Sequence, residues 1–161
     1  MEADLTIRKM TQNDEKQVKQ IIDQSFPKFY RFFAAHSLTE EGQVLVCEVQ
    51  TTVAGFAKLI DFLIIGKKYS CILWIAVRPS FRRKGIAAKL TNNAVQRLKK
   101  NGTKAVFAST QRKNVAALTV LVQQGFRRMG FLDLWRLFGW RVFEFYRSIW
   151  FAPGEIVLMN K

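Results

Sequence analysis

Cysteine, histidine and proline are all scarce in this chain of 161 residues, with two, one and three copies respectively. The two cysteines, Cys47 and Cys71, stand far apart inside apolar strand-like runs, and no Cys-x-x-Cys is present. That pattern excludes a disulfide framework and a zinc knuckle and predicts buried free thiols. With His36 the sole histidine, no metal centre is expected. The few prolines form no low-complexity linker and there is no internal repeat, so residues 1–161 read as a single domain, for which a hydrophobic content of 49% is ample. No uncharged apolar run is long enough to span a bilayer. The start, Met1-Glu2-Ala3-Asp4, is acidic and lacks the apolar segment of a secretory leader, so a cytoplasmic location is expected. Acidic residues are also few, 12 against 26 lysines and arginines, for a net charge of +14. The basic residues cluster locally at 82–84, 97–100 and 127–147 instead of forming one stripe, which argues against nucleic acid as the partner. Solubility is the default reading of the surplus, ahead of attraction for an acidic acceptor, a membrane surface or RNA.

What the chain does have is a short apolar run from Ile72 to Val77 that meets a basic glycine turn, Arg78-Pro79-Ser80-Phe81-Arg82-Arg83-Lys84-Gly85, and then a helical repeat. Pro79 ends the strand by removing a donor, and Gly85 allows backbone amides to approach a ligand closely. Ile86, Leu90, Ala94 and Leu98 recur on one helical face until Asn101-Gly102 stops the helix. The unpaired amides of its first turn and the positive end of its dipole would face an anion held over Arg82 to Ala87. Arg82, Arg83 and Lys84 add long-range attraction. A diphosphate fits such a cradle. On the glycine and the charges alone, an ordinary helix start behind a solvated basic turn is an equal reading. Gly-Lys-Ser/Thr and Gly-x-Gly-x-x-Gly are absent, so neither a Walker loop nor a dinucleotide fingerprint is present.

The hydrophobic pattern along the rest predicts a strand at Leu5 to Arg8, helices at Asp14 to Ile22 and around Phe26 to Phe33, and strands at Gln43 to Gln50 and Val53 to Ile65 joined by a hairpin at Gln50-Thr51-Thr52. Lys67-Lys68 reads as the next turn, before a strand at Tyr69 to Val77. After the helix from Ile86 come a strand at Lys104 to Ser109, a helix at Val115 to Gln124, and strands at Phe126 to Phe131 and Glu155 to Asn160.

Arg82-x-x-Gly85-x-Ala87 behind Val77-x-Pro79 resembles the acyl-coenzyme A motif of the GCN5-related N-acetyltransferase (GNAT) superfamily. Val53-Ala54-Gly55-Phe56-Ala57 is similar to that family's third strand, and Asn114-x-x-Ala117 followed by Gly125-Phe126 keeps its spacing across the fourth helix. The resemblance spans nearly the whole chain. It implies an α/β (α+β) GNAT fold, with a mixed sheet of about seven strands splayed between the fourth and fifth, flanked by about four helices. It also implies an N-acyltransferase that passes acetyl from acetyl-coenzyme A to a primary amine, on a small molecule or a peptide, by direct attack in a ternary complex. The cosubstrate contacts it implies are Ile75 and Val77 beside the pantetheine arm, Arg82, Arg83, Lys84, Gly85, Ile86, Ala87 and Ala88 around the diphosphate, and Asn114. A backbone oxyanion donor is worth about 3 kcal/mol, so apolar strand residues can serve as core and site together.

Two family roles do not transfer. The usual acid is a tyrosine seven residues after Asn114, and Leu121 stands there; a thiol with a pKa of about 8.5 can nevertheless leave as thiolate. The usual strand-four carboxylate is also missing from Leu73-Trp74-Ile75-Ala76. Glu48, Asp61, His36 and Glu144 remain as base candidates without motif support; the preferred reading of His36 is a surface or helix-end residue, and that of Glu48 and Asp61 a solvent-facing strand position. A non-catalytic acyl-coenzyme A-binding module is therefore the alternative, and an RNA- or ribosome-associated basic protein a more distant one.

Between the last two strands lies an aromatic segment, residues 132–152. Drawn as one helix, it puts Asp133, Arg136, Arg141, Glu144, Arg147 and Ser148 on one face and Leu134, Trp135, Phe138, Val142, Phe143, Phe145, Tyr146, Ile149 and Trp150 on the other, with Leu137 and Trp140 as exceptions. The polar face of that wheel carries a net single positive charge, so packing on its own sheet or on a twin subunit, making a homodimer through 132–151, is preferred to membrane contact.

Overall fold

A computed structural model describes residues 4–161, and the leading Met1-Glu2-Ala3 read above lies outside the described residues. The strands are β1 (Leu5–Lys9), β2 (Gln43–Val49), β3 (Thr52–Ile64), β4 (Lys67–Val77), β5 (Val106–Gln111), β6 (Arg127–Met129) and β7 (Glu155–Asn160). The helices are α1 (Glu15–Ser25), α2 (Lys28–Ser37), α3 (Ile86–Lys100), α4 (Val115–Gln123), α5 (Phe131–Phe138) and α6 (Val142–Ser148). The strands form one mixed sheet in the order β1-β2-β3-β4-β5-β7-β6. β4 and β5 run parallel, registered at Ser70 with Val106, Cys71 with Phe107 and Ile72 with Ala108. No helix among the described residues is long and apolar enough to cross a membrane.

Contacts divide the chain into two compact units, Met1–Leu59 with Trp74–Ala94 and Ile60–Leu73 with Val95–Lys161. In the first, Val18, Ile21 and Ile22 of α1 recur at helical spacing and bury against Val44, Val46, Val53, Phe56 and Ala76. Gly55 on β3 is set by close approach. A Cβ there would come within 2.9 Å of the Ala76 carbonyl oxygen and 3.2–3.3 Å of Leu90 and Ile86, so glycine lets the first turns of α3 lie directly on the strand. That places the start of α3.

Arg8 on β1 donates through Nη1 and Nη2 to Asp14 at 2.6 and 2.9 Å, and also to Glu48 on β2. Asp14 additionally accepts from the backbone amide and hydroxyl of Thr11. The Arg8 guanidinium, then the Thr11 donors, hold the buried Asp14 carboxyl well below its ordinary value of 3.8 against the opposing effect of burial. The unfolded chain keeps the ordinary value, so this contribution is full above about pH 4 and is lost as pH falls below it. We expect urea unfolding of the wild type to weaken from pH 4 to pH 3, and Asp14→Ala to lose about 2 kcal/mol at pH 7 with a shallower acid decline. Equal acid slopes for the two proteins would contradict the assignment.

In the second unit the core gathers Ile64, Cys71, Phe107, Met129, Leu134, Phe138, Val142, Phe145, Ile149, Val157 and Met159. The segment expected as one amphipathic helix is two short ones. Gly139 (φ +55°) closes α5 in a backbone state open to glycine, and Gly139–Arg141 form a 3-10 turn before α6. Reorientation at Gly139 separates residues that share a face on a continuous wheel. Leu134, Phe138, Val142, Phe145 and Ile149 are buried, whereas Phe143, placed on the same apolar face by the wheel, is 60% exposed. Two other boundaries also move. The β3–β4 turn is Ile65-Gly66, both with positive φ, instead of Lys67-Lys68, and β6 is confined to Arg127–Met129. Cys47 and Cys71 are free and buried, and burial raises both thiol pKa values, keeping them protonated and inert.

Candidate functional site

The end of β4 is pinned before the basic turn begins. The Arg78 amide donates to the Ala54 carbonyl at 2.8 Å, and its Nε to the Val53 carbonyl at 3.1 Å. Pro79–Phe81 form a 3-10 turn, after which Arg82 folds back: Nε donates to the Val77 carbonyl at 3.0 Å and Nη2 to Ser25 Oγ at 3.2 Å. Arg82 thus ties the turn to the strand end and to the last residue of α1. Lys84 Nζ lies 5.3 Å from the centre of the Phe81 ring.

Backbone geometry then does what side chains cannot. Arg83 (φ +64°) and Gly85 (φ +74°) are left-handed, with Lys84 between them in ordinary φ. Turns in which left-handed residues alternate with ordinary ones are a common setting for anion-binding amides. Glycine takes that conformation freely. Arg83 takes it at a cost of roughly 1 kcal/mol or more, the sort of strain that collects at ligand-holding turns. The Gly85 carbonyl accepts from Lys89 N at 3.0 Å, so Gly85 is the N-cap of α3. The amides of Ile86, Ala87 and Ala88 are therefore first-turn donors with no partner inside the helix, at the positive end of its dipole. Arg82, Arg83, Lys84 and Gly85 are exposed. The arrangement can hold a diphosphate by directed backbone bonds surrounded by fixed positive charge.

The structure therefore brings together, in one unit, the turn residues 82–88 and the half-buried Ile75 and Val77 of β4 just before it. Asn114 belongs to the other unit, where its Oδ1 accepts from Ala117 N at 3.2 Å as the N-cap of α4. Leu121, at the position of the family's acid, is buried on α4.

Each base candidate has a neighbour that accounts for it. Glu48 accepts from Arg8. Asp61 accepts from the Ser70 hydroxyl and pairs with Lys68 at 3.0 Å. His36, exposed at the end of α2, sits 3.2 Å from Glu40 and stacks on Phe32. Glu144 pairs with Arg141 at 2.9 Å on the surface of α6.

Sequence reading missed Ser25, Arg78 and Trp74. The Phe26 and Tyr30 rings stand edge-on to Trp74, with centroids 5.4 and 5.8 Å away, and the buried Trp74 Nε1 has no hydrogen-bond partner. Nothing in an apolar strand pattern marks Trp74 as an orphaned donor. Ser25 is invisible because its partner is 57 positions away.

The model of the acetyltransferase (GNAT) family matches residues 9–131. No curated protein matches the chain in sequence. Among solved structures, a protein assigned to the GNAT acetyltransferases from Desulfovibrio desulfuricans is similar at a TM-score of 0.76 and 16% identity, covering 98% of this chain and 99% of that one. A Bacillus subtilis acetyltransferase in complex with coenzyme A is similar at 0.67 and 19% identity, covering 98% and 99%. The ribosomal-protein-S18-alanine N-acetyltransferase of Escherichia coli is similar at 0.67 and 18%, covering 97% and 92%. At such identities the structural likeness speaks for the fold, the seven-stranded mixed sheet with parallel β4 and β5, while the family model reaches through the glycine turn and the asparagine helix. The chain belongs to the acetyltransferase (GNAT) family.

Proposed function

We propose that the protein is an acyl-coenzyme A-dependent N-acyltransferase that passes acetyl from acetyl-coenzyme A to a primary amine. The observation that carries this reading is the strained, arginine-flanked turn from Arg82 to Gly85 capping α3. It offers the diphosphate of coenzyme A directed amides at Ile86, Ala87 and Ala88, with Ile75 and Val77 supplying backbone to the pantetheine arm. The amine attacks the thioester carbonyl directly. A C–N bond forms, the tetrahedral intermediate collapses with loss of the C–S bond, and the thiol departs as thiolate.

Three proton transfers need accounting. An alkylammonium of pKa about 10 must lose one proton before attack, its nitrogen loses a second as the tetrahedral intermediate becomes the amide, and the thiolate gains one on or after leaving. With Leu121 apolar and buried, water is the proton source for the thiolate. General acid help is commonly worth about a hundredfold or more, so turnover slower than that of tyrosine-bearing relatives is expected. Glu48, Asp61, His36 and Glu144 each sit beside a charged or polar neighbour, which makes a water-relayed base the working assignment. The exposed rings of Phe29, Phe32 and Phe33 on α2 favour acceptors with an apolar body. Free cysteines fit a reducing, cytoplasmic setting.

Thiol release from acetyl-coenzyme A, measured across polyamines, aminoglycosides, amino acids and hydrophobic N-terminal peptides, is expected to reveal at least one acceptor. Binding without turnover across that panel would favour a non-catalytic acyl-coenzyme A module, a reading that the buried Leu121 supports.

A further inference from the structure

Among the described residues, Trp74 Nε1 is the buried side-chain nitrogen left without a hydrogen-bond partner. A buried donor without an acceptor destabilises the fold, so such a group in a native chain calls for an explanation. The rings beside it are a weak substitute for an oxygen acceptor. Its place in the chain supplies the explanation. The diphosphate cradle lies at 82–88, and the pantetheine arm proposed above passes Val77 and then Ile75, so the arm runs back along β4 and its acyl end comes next to Trp74. Donor site and unpaired N–H thus belong to neighbouring residues of one unit.

The cover over the indole is light. Phe26, where α1 ends, and Tyr30, in the first turn of α2, stand edge-on to it at 5.4 and 5.8 Å, and both are half-buried. Nothing in that first turn is fully buried, since the buried residues of α2 are Ala34 and Ser37 further along, so its rings are the part of the cover that can yield to a ligand.

We propose that Trp74 Nε1 donates to the acceptor substrate, reading a neutral carbonyl oxygen a few bonds from the attacking amine, and so selects α-amino amides, such as the first residue of a peptide, over plain alkylamines. This rests on the acyltransferase reading. The chemistry of the N–H chooses the group. An indole donates and cannot accept, so its partner must bring lone pairs. A hydroxyl brings a proton that needs a further acceptor, and a carboxylate brings a charge whose loss of water one neutral donor does not offset. A carbonyl makes neither demand. From Trp74 the ring contacts continue through Tyr30 to Phe29 at 5.6 Å and on to Phe33 at 5.0 Å, where Phe29 is 65% exposed. That path gives the side chain beside the carbonyl an apolar track. Trp74 transfers no proton; it sets which amine is held.

The test titrates phenylalaninamide, phenethylamine and phenylalanine into the protein loaded with coenzyme A, by calorimetry, with the indole N–H cross-peaks followed by heteronuclear NMR. The wild type is expected to bind the amide about tenfold tighter than the amine that lacks the carbonyl. One indole cross-peak, absent from Trp74→Phe, should move downfield with the amide alone. Trp74→Phe keeps an aromatic ring against Phe26 and Tyr30, so it should keep its circular dichroism spectrum while its preference for the amide falls to within about twofold. In thiol release from acetyl-coenzyme A, the loss should appear in KM for the amide with kcat little changed, because the contact is made in ground and transition states alike. The two amines differ in pKa, so the change in preference between wild type and variant is the deciding quantity. Equal affinity of the wild type for amide and amine, tighter binding of phenylalanine than of the amide, or an undiminished preference in folded Trp74→Phe overturns the proposal. If the variant fails to fold, the wild-type preference alone decides. A protein that takes up coenzyme A but shows no preference has lost only this role of Trp74, whereas one that takes up none has lost the acyltransferase reading and this one with it.

Discussion

Gly85→Glu is expected to weaken acetyl-coenzyme A binding by thirty- to a thousandfold, roughly 2–4 kcal/mol, while the protein remains folded. Two effects add. Gly85 is left-handed at φ +74°, and any side chain there costs about 1–2 kcal/mol of backbone strain or drags the turn out of shape. The carboxylate then stands among first-turn amides where the diphosphate is to sit, repelling it by about another 1–2 kcal/mol. Apart from its two chain neighbours, no residue comes within 4 Å of where a Cβ at Gly85 would be, so the substitution overfills nothing and folding should survive. Gly85→Ala separates the two effects, because it carries strain without charge and should lose only about tenfold. Isothermal calorimetry reads both, with circular dichroism as the check on folding. A folded Glu variant that binds as tightly as the wild type would remove the turn from the donor site. Absence of binding by the wild type would remove the donor itself.

The same turn shows what a sequence can disclose about a site. Strand, proline, basic residues, glycine and helix stand consecutively from Ile72 to Leu98, so local pattern was enough to read the cradle and its direction. Its fastening was not legible. Arg82 reads as an anion ligand, yet its guanidinium holds the Val77 carbonyl and Ser25 Oγ, and the latter partner arrives only when α1 is folded. Gly55 was placed by motif, but the reason for it, an Ala76 carbonyl 2.9 Å from the missing Cβ, is a tertiary fact. The aromatic segment failed for a different reason. Its apolar repeat runs on through Gly139 on a continuous wheel, whereas a glycine between Phe138 and Trp140 breaks the helix. The turn at Ile65-Gly66 is hard to see in the sequence because a β-branched residue rarely takes φ near +52°.

Two phenylalanines, two positions apart on α6, should behave as opposites. Phe145 is fully buried, and its ring meets those of Phe107 at 4.7 Å, Phe138 at 4.9 Å and Phe62 at 6.0 Å, so it joins the aromatic segment to β3 and β5 within one core. Phe145→Ala removes those contacts and leaves a cavity, a loss of about 3–5 kcal/mol. A domain of this size holds roughly 5–15 kcal/mol in total, so the variant should be marginal at 37 °C. Phe145→Leu, which keeps most of the volume, is expected to lose about 1–2 kcal/mol and guarantees a measurable folded variant. Phe143 is mostly in solvent, and Phe143→Ala should stay within about 0.5 kcal/mol of the wild type. Urea unfolding followed by far-ultraviolet circular dichroism reads all three. If Phe145→Ala costs no more than Phe143→Ala, then α5 and α6 are an appendage and not part of the core. A single cooperative transition shifted to lower urea means instead that the segment between β6 and β7 is needed for the unit that contains it to fold.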